Sequence, residues 1–387
     1  MKVFFIGFGQ AGGKVVDLFV GDDLKRETHH FRALAVNTAR TDLMGLSHIA
    51  MKNRILIGQT VVKGHGVGTD NETGARITAE EIDSIMSAID HIGTHEIEAF
   101  VVIAGLGGGT GSGGTPVLVR HLKQTYKEPV YVLGIVPAPE EGRLYSYNAA
   151  RSLATIVKEA DNTFLFDNSA WKAEGESIQA AFQRLNLELV RRFNILFRSG
   201  EGRGRGVGEM VVDSSEIINT LKTGGISSVG YAKSELPFEE KGVFGNLFDR
   251  FSQKKENDEE HLVGEDKSAR IISLVRRAVL GRLTLPCDIT TTERALVLIA
   301  GPPQELDRKG IEKAKSWVSE TINGVEVRGG DYPVQSRFIA AVVLLASVRN
   351  APRIDELIAI AKEIKEMKEK RKDEVGMLLS DDVEPLF

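Results

Sequence analysis

With Cys287 as its only cysteine, the chain can form no intramolecular disulfide, and the surrounding LTLPCDITT offers neither metal-ligand spacing nor the setting of a nucleophile. Cys287 therefore reads as a small buried residue. A basic excess is missing too: 49 Lys and Arg against 54 Asp and Glu give a net charge of -5, which argues against a nucleic-acid partner. Long apolar runs are absent, and the best candidate, FIAAVVLLASV at 338–348, is too short to cross a bilayer. MKVFFIGFG enters a strand-like run with no basic stretch, long apolar stretch or cleavage site ahead of it. The expectation is a soluble, cytoplasmic protein with no secretion signal and no transmembrane segment.

What is present is a chain of 387 residues, 42% of them apolar, long enough for two domains with their own cores. Its first half alternates dense Val/Ile/Leu runs (KVFFI, RALAVN, RILIG, AFVVIA, VYVLGIVP) with helical patterns, as a parallel sheet covered on both faces requires. This predicts an α/β fold with a Rossmann-like N-terminal domain over 1–175. One of its helices is expected at Ala79, behind a capping box of Thr78 and Glu81. Apolar residues at Ile178, Phe182, Leu185, Leu189, Phe193 and Leu196 then mark one face of a long central helix, about 30 Å if helical throughout. That helix and the glycine-rich SGEGRGRGVG loop after it occupy 176–207. A smaller C-terminal α/β or α+β domain is expected over 208–350, with a charged loop at about 236–268. KKENDEEHLVGEDK at 254–267 has no apolar periodicity and reads as solvated or disordered. The remainder, 351–387, is an amphipathic helix and tail, with Ile354, Leu357, Ile358, Ala361, Ile364 and Met367 forming a stripe that docks on the body or, alternatively, on a partner or membrane surface.

Two glycine loops carry the chemistry. IGFGQAGGK fits G-x-G-x-x-G through Gly7, Gly9 and Gly12 between a strand and a helix, the context of a dinucleotide site. RALAVNT ends in Asn37 and Thr38 where such a site would place an acidic ribose partner, which counts against NAD. GLGGGTGSGG, Gly105 to Gly114, puts seven glycines into ten residues directly after a strand. Read as a linker, it explains neither the strand before it nor the helix after it. Read as an anion nest, its N–H groups and the hydroxyls of Thr110 and Ser112 face phosphate, with Thr115 and Pro116 opening the helix. No Gly-Lys-Ser/Thr follows, so it is not a Walker loop.

In combination, GGGTGSG, IGFGQAGGK, AVNT, KGHGVGTDNETG and VPAPEEG resemble, in order, the nucleotide loops of the tubulin and FtsZ superfamily. GFGQAGGK, VKGHGVG and VVDSSEIINTLK are most similar to the archaeal CetZ family. The resemblance implies a GTP/GDP site with phosphate contacts at Gln10, Ala11, Gly12, Gly13, Lys14, Gly109, Thr110 and Gly111. It also implies ribose contact at Glu141 and base contacts at Asn168 and Asn186. Without it, Asn168 is a turn residue and Asn186 a polar residue on a helix face. Lys14, where FtsZ commonly has Asn, either neutralises phosphate or points to solvent. Mg²⁺ is expected with the nucleotide, Asp70 and Glu72 being placed to orient a metal-bound water.

Asp213 and Glu216 in GEMVVDSSEI, three apart, present two carboxylates on one side of a helix's first turn, where they either cap that helix or await a neighbour. The resemblance implies that this loop enters the GTP site of the next subunit, so that head-to-tail filament assembly completes hydrolysis. Gly208, Asp213 and Glu216 fit the family pattern, whereas Val211 stands where it has asparagine, leaving the rate open. The leading expectation is a cytoskeletal GTPase controlling cell shape, its own partner in a filament, with any membrane adaptor unidentified. The alternatives are an NAD-dependent oxidoreductase and a nucleotide-binding scaffold with little hydrolysis.

Overall fold

The computed structural model describes residues 1–28, 30–173, 175–176, 178–199, 212–236 and 256–380. Gly208 and Val211, most of the glycine-rich loop after the central helix, and the terminal 381–387 lie outside the described residues.

The first half runs β1 Val3–Phe8, α1 Gly9–Lys25, β2 Arg32–Asn37, α2 Arg40–Met44, β3 Arg54–Leu56, α3 Gln59–Val62, α4 Asn71–Glu80 and α5 Ile82–Ile92. It continues with β4 Ala99–Gly105, α6 Thr110–Thr125, β5 Val130–Val136, α7 Arg143–Glu159, β6 Asn162–Asp167 and α8 Asn168–Trp171. Then come α9 Ile178–Arg198, α10 Ser214–Leu221, β7 Ile226–Glu235, α11 Glu256–Leu280, β8 Arg294–Gly301, α12 Arg308–Thr321, β9 Glu326–Pro333, β10 Phe338–Ala346 and α13 Pro352–Ser380.

The strands lie in the order β3-β2-β1-β4-β5-β6-β7-β10-β8-β9. The first six are parallel and wound in both directions from the β1/β4 pair, where the chain order reverses. Every residue of β1 is buried because both faces are covered: Val3 and Phe5 enter one core, Phe4, Ile6 and Phe8 the other. Phe5 stacks on Phe19 of α1 at 4.5 Å and meets Phe197 of α9 edge-on at 5.7 Å, each buried ring contributing about 1.5–3 kcal/mol. Through Thr163↔Ile226 and Phe164↔Ser227, β6 joins β7, so the C-terminal strands extend the same sheet. Among the described strands only β10 is antiparallel to its neighbours.

Several helices depart from the sequence reading. The helix expected at Ala79 begins at Asn71, capped by Asp70, whose carboxylate accepts from the N–H groups of Glu72 and Thr73. Thr78 is buried inside it, donating to the Gly74 carbonyl, and Glu81 accepts instead from the Gly58 N–H at 2.7 Å. Residues 256–267, expected as loop, are the opening of α11, which is anchored further on by Ile271, Leu274, Val275 and Ala278. On α9, Leu185, Leu189, Phe193 and Leu196 are buried as expected, but Phe182 is 40% exposed, with Ala181 buried instead. On α13, Leu357 is buried whereas Ile358 and Met367 are exposed, so only part of the stripe docks. Periodicity fixes a face but not how far the underlying core reaches. Cys287 is half-buried between two core clusters rather than fully enclosed, and burial pushes its thiol up to about 12. Among the described residues no helix is long and apolar enough to cross a membrane.

Candidate nucleotide site

The two glycine loops leave the C-terminal ends of β1 and β4, the adjacent strands at which the sheet changes direction, where open α/β sheets form a crevice. Neither α1 after Phe8 nor α6 after Gly109 has a side-chain cap, whereas Asp70, Asp167, Asp213 and Asp307 cap the helices that follow them. Two uncapped helix N-termini side by side offer unpaired N–H groups and positive potential to one anion.

The glycines divide into two jobs. A Cβ on Gly12 would fall 1.9 Å from the Ile103 carbonyl oxygen, so Gly12 lets α1 lie against β4. A Cβ on Gly113 would meet the Asn71 oxygen at 2.1 Å, and one on Gly109 would meet Val67 at 2.4 Å, so these hold α4 and its loop against α6. Gly108, by contrast, has nothing within 4 Å of its Cβ position and faces open space. Half of the run is helix: α6 starts at Thr110, not at the expected Thr115. Pro116 falls in its interior and removes the N–H that Ser112's carbonyl would accept. The Ser152 hydroxyl of α7 supplies the missing donor at 2.7 Å. The Ser112 hydroxyl, expected to face phosphate, donates to the Gly108 carbonyl within the turn. The Thr110 and Thr38 hydroxyls share a hydrogen bond at 2.7 Å, tying the β2 end to the second loop.

Of the first loop's expected phosphate contacts, Gly12 and Gly13 are buried, Ala11 is half-buried, and Gln10 and Lys14 are exposed. Gln10 Nε2 donates to Asp42 at 2.9 Å, and Asn37 Nδ2 donates to the other oxygen of the same carboxylate at 3.1 Å. Asp42, which the sequence reading missed, thus joins the first loop to the AVNT loop.

Glu141 and Asn168 come together directly: Glu141 Oε1 accepts from the Ala138 N–H at 2.8 Å and from Asn168 Nδ2 at 3.2 Å. Asn186 sits half-buried on α9, two residues beyond Arg184, whose guanidinium donates to the Trp171 carbonyl at the end of α8. The helix that carries Asn186 is thereby tied to the end of α8, the helix that Asn168 opens. Asp70 is held below the usual carboxylate range, first by the Thr73 hydroxyl and then by the Thr73 N–H. Glu72 pairs with Arg151 at 2.9 Å.

Asp213 and Glu216 lie at the other end of the sheet. The Ser214 hydroxyl donates to Glu98, the residue just before β4, and Arg294, first residue of β8, donates to the Asn219 carbonyl of α10 at 2.7 Å. The length of β4, about 20 Å at 3.3 Å per residue, therefore separates these carboxylates from the glycine loops. Asp213 caps α10 as one sequence reading expected; the Ser215 hydroxyl, ahead of the Glu216 N–H, lowers its carboxyl. Glu216 meets Arg328 at 3.1 Å, a pairing not legible in the sequence. A cleft of about 640 Å³ elsewhere, between α1, α9 and the C-terminal strands, takes in Gly21, His48, Asn194 and Tyr332 and none of the residues of the two glycine loops.

Comparison with known proteins finds matches along both halves of the chain. Residues 2–175 match the model of the Tubulin/FtsZ family GTPase domain, and residues 175–363 that of the tubulin-like CetZ C-terminal domain. The chain is 51% identical to tubulin-like protein CetZ3 of Haloferax volcanii over 100% of both chains. It is 54% identical to CetZ1 of the same organism over 93% of this chain and 92% of the relative. Among solved structures it is similar to a GDP-bound monomer of Haloferax volcanii CetZ1, with a TM-score of 0.82, 50% identity and coverage of 94% of this chain and 100% of that one. It is likewise similar to CetZ2 from the same organism in a GTPγS-bound protofilament, with a TM-score of 0.82, 40% identity and coverage of 95% and 100%.

Proposed function

This chain belongs to the CetZ family of tubulin-like proteins, and from that premise we propose that it binds GTP in the β1/β4 crevice and hydrolyses it only when subunits stack head to tail. The observation that carries this is the placement of two incomplete sites at opposite ends of β4. The glycine loops lie at its C-terminal end, and Asp213 with Glu216 beside its N-terminal end. A subunit cannot bring its own carboxylates to its own crevice across about 20 Å of strand. A copy displaced along the strand direction can, and such a heterologous contact propagates as a filament.

In this reading the free N–H groups at the starts of α1 and α6, those of Gln10 and Ala11 and of Gly109 to Gly111, hold the phosphates, while Gly12, Gly13 and Lys14 form the turn behind them, their N–H groups engaged within the helix. Glu141 accepts from the ribose, and Asn168 with Asn186 reads the base. Stabilisation of the transferring phosphoryl group comes from these preorganised donors. Asp213 and Glu216 of the next subunit orient the attacking water and accept its proton, which requires Glu216 to share its carboxylate with Arg328. Among the described residues no group of three or more His, Cys, Asp and Glu is placed to hold a metal. Both Asp70 oxygens accept hydrogen bonds from residues 72 and 73. The fit is therefore to Mg²⁺ held by phosphate oxygens and water, with Asp70 reaching it through water; bound there, the ion would neutralise phosphate charge.

The family resemblance further supports action in the cytoplasm on cell shape. The meeting of the two family models at residue 175 supports a division between a nucleotide domain and the remainder at that point. The decisive experiment measures GTP turnover per molecule as protein concentration rises, with sedimentation of the same sample. Turnover should climb with the pelleted fraction; a concentration-independent rate would sink the shared site.

A further inference from the structure

The first turn of α13 carries a guanidinium that surface burial alone does not explain. Arg353 is 5% exposed, and a charge so enclosed persists only where its partners are fixed. Its Nη2 donates to the Pro137 carbonyl at 2.6 Å, its Nη1 pairs with Glu356 at 2.6 Å, and its Nε stands 3.9 Å from the Asp167 carboxylate. Pro137 is the first residue beyond β5 and Asp167 the last of β6, and these strands are neighbours paired through Val136↔Asp167. One residue further along each chain segment, the Ala138 N–H and the Asn168 amide converge on the same oxygen of Glu141. Asp167 is itself fixed by the N–H and hydroxyl of Ser169, which begins α8 with Asn168.

We propose that Arg353 is a positioning residue for the base and ribose end of the nucleotide site, setting the separation of the β5 and β6 ends and thereby the geometry of Glu141 and Asn168. The inference rests on the nucleotide reading above and deepens it, because it makes the C-terminal helix a determinant of base selectivity. A guanidinium spreads its charge and donors over fixed directions, so one side chain hydrogen-bonds a carbonyl at one strand end while its Nε edge, which makes no hydrogen bond, attracts the carboxylate at the next across 3.9 Å; a lysine ammonium cannot do both in the same way. The consequence for selectivity follows from the Asn168 amide. With one of its N–H groups committed to Glu141, its Oδ1 remains as the acceptor. Guanine offers N–H groups at N1 and at the 2-amino position, hypoxanthine offers only the first, and adenine neither. A shift of the β6 end relative to the β5 end therefore costs guanine more than hypoxanthine.

Isothermal titration of the full chain with GDP and with IDP tests this in the wild type, Arg353→Lys, Arg353→Gln and Glu363→Ala, the last removing a contact to Arg143 further along α13. Arg353→Gln should weaken GDP by about tenfold and IDP by less, shrinking the GDP/IDP ratio. Arg353→Lys should shrink the ratio by about threefold, and Glu363→Ala should leave it unchanged. A purely structural role would lower the melting temperature of the Arg353 variants while leaving the ratio at the wild-type value. That result in Arg353→Gln, or in Arg353→Lys should the glutamine variant not fold, overturns the proposal. A wild type that binds no GDP overturns the nucleotide reading itself, and this inference with it.

Discussion

The Ser152 hydroxyl donates to the Ser112 carbonyl at 2.7 Å, the carbonyl that Pro116 leaves without its helical partner. An α7 side chain thus completes the backbone of α6 just behind the second glycine loop. Removing it strands a buried acceptor, so Ser152→Ala should destabilise the protein by about 1–3 kcal/mol. On that background Pro116→Ala restores an N–H four residues after Ser112 and should recover part of the loss, a coupling that a double-mutant cycle by urea unfolding would measure. Strictly additive effects would mean that the hydroxyl is not standing in for the missing N–H.

Gly108 and Gly113 separate binding from folding. Gly108 has free space at its Cβ position, so Gly108→Ala should change stability by less than about 0.5 kcal/mol. In the proposed site a methyl group there would crowd the phosphate, and GDP affinity should fall at least about tenfold. Gly113→Ala pushes a methyl group into the Asn71 carbonyl at 2.1 Å and should cost about 1–3 kcal/mol of stability. Unchanged GDP affinity in Gly108→Ala would remove the crevice assignment.

Asp213 both caps α10 and supplies charge, and asparagine divides these roles. Asp213→Asn keeps a capping acceptor, so melting should change little, whereas Asp213→Ala should cost about 1 kcal/mol. Both should bind GTP normally and hydrolyse it slowly. Mixed with Gly108→Ala, which keeps its carboxylates but binds poorly, Asp213→Asn should regain turnover, because each variant contributes the half that the other lacks. Absence of any gain across mixing ratios, with both variants in the pellet, would contradict a site shared between subunits.

Asp17 of α1 ties down the segment after α2. Burial alone would raise its carboxyl, but the N–H groups of Ile49, Ser47 and His48, together with the His48 ring, outweigh this and leave it below the ordinary 3.8. A carboxyl depressed in the folded state contributes stability that is complete above its unfolded value and lost as pH falls through its folded one. Urea midpoints should therefore decline below about pH 4, and Asp17→Asn should show lower stability at pH 7 with a shallower acid decline. Parallel pH profiles for the two proteins would assign the decline to other carboxylates.

Much of this architecture was written locally. The strands announced themselves because a sheet buried on both faces needs unbroken apolar runs, and the glycine loops because close backbone approach excludes side chains. The start of α6 was hidden since glycine weakens a helix by about 1 kcal/mol relative to alanine; packing against α4 overrides that tendency. Thr78 and Glu81 imitate a capping box, but Asp70 with the N–H groups of Glu72 and Thr73 wins the helix start. Residues 256–267 have no apolar stripe because they extend a helix anchored further along. Asp42, Arg328 and Arg353 had no local signal at all, since what gives each its role is a partner remote in sequence: Gln10, Glu216, and the pair of Pro137 and Asp167.

The common direction of the strands on either side of β4 has one more consequence. In the proposed filament a row of stacked subunits would end in two chemically unlike tips, an open crevice whose nucleotide has met no carboxylate and a pair of carboxylates that has met no nucleotide. At the first tip an arriving subunit closes over the resident's GTP; at the second it brings its own. Growth at the two tips would then obey different clocks, and the row would carry an arrow set by the direction of the strands within each subunit.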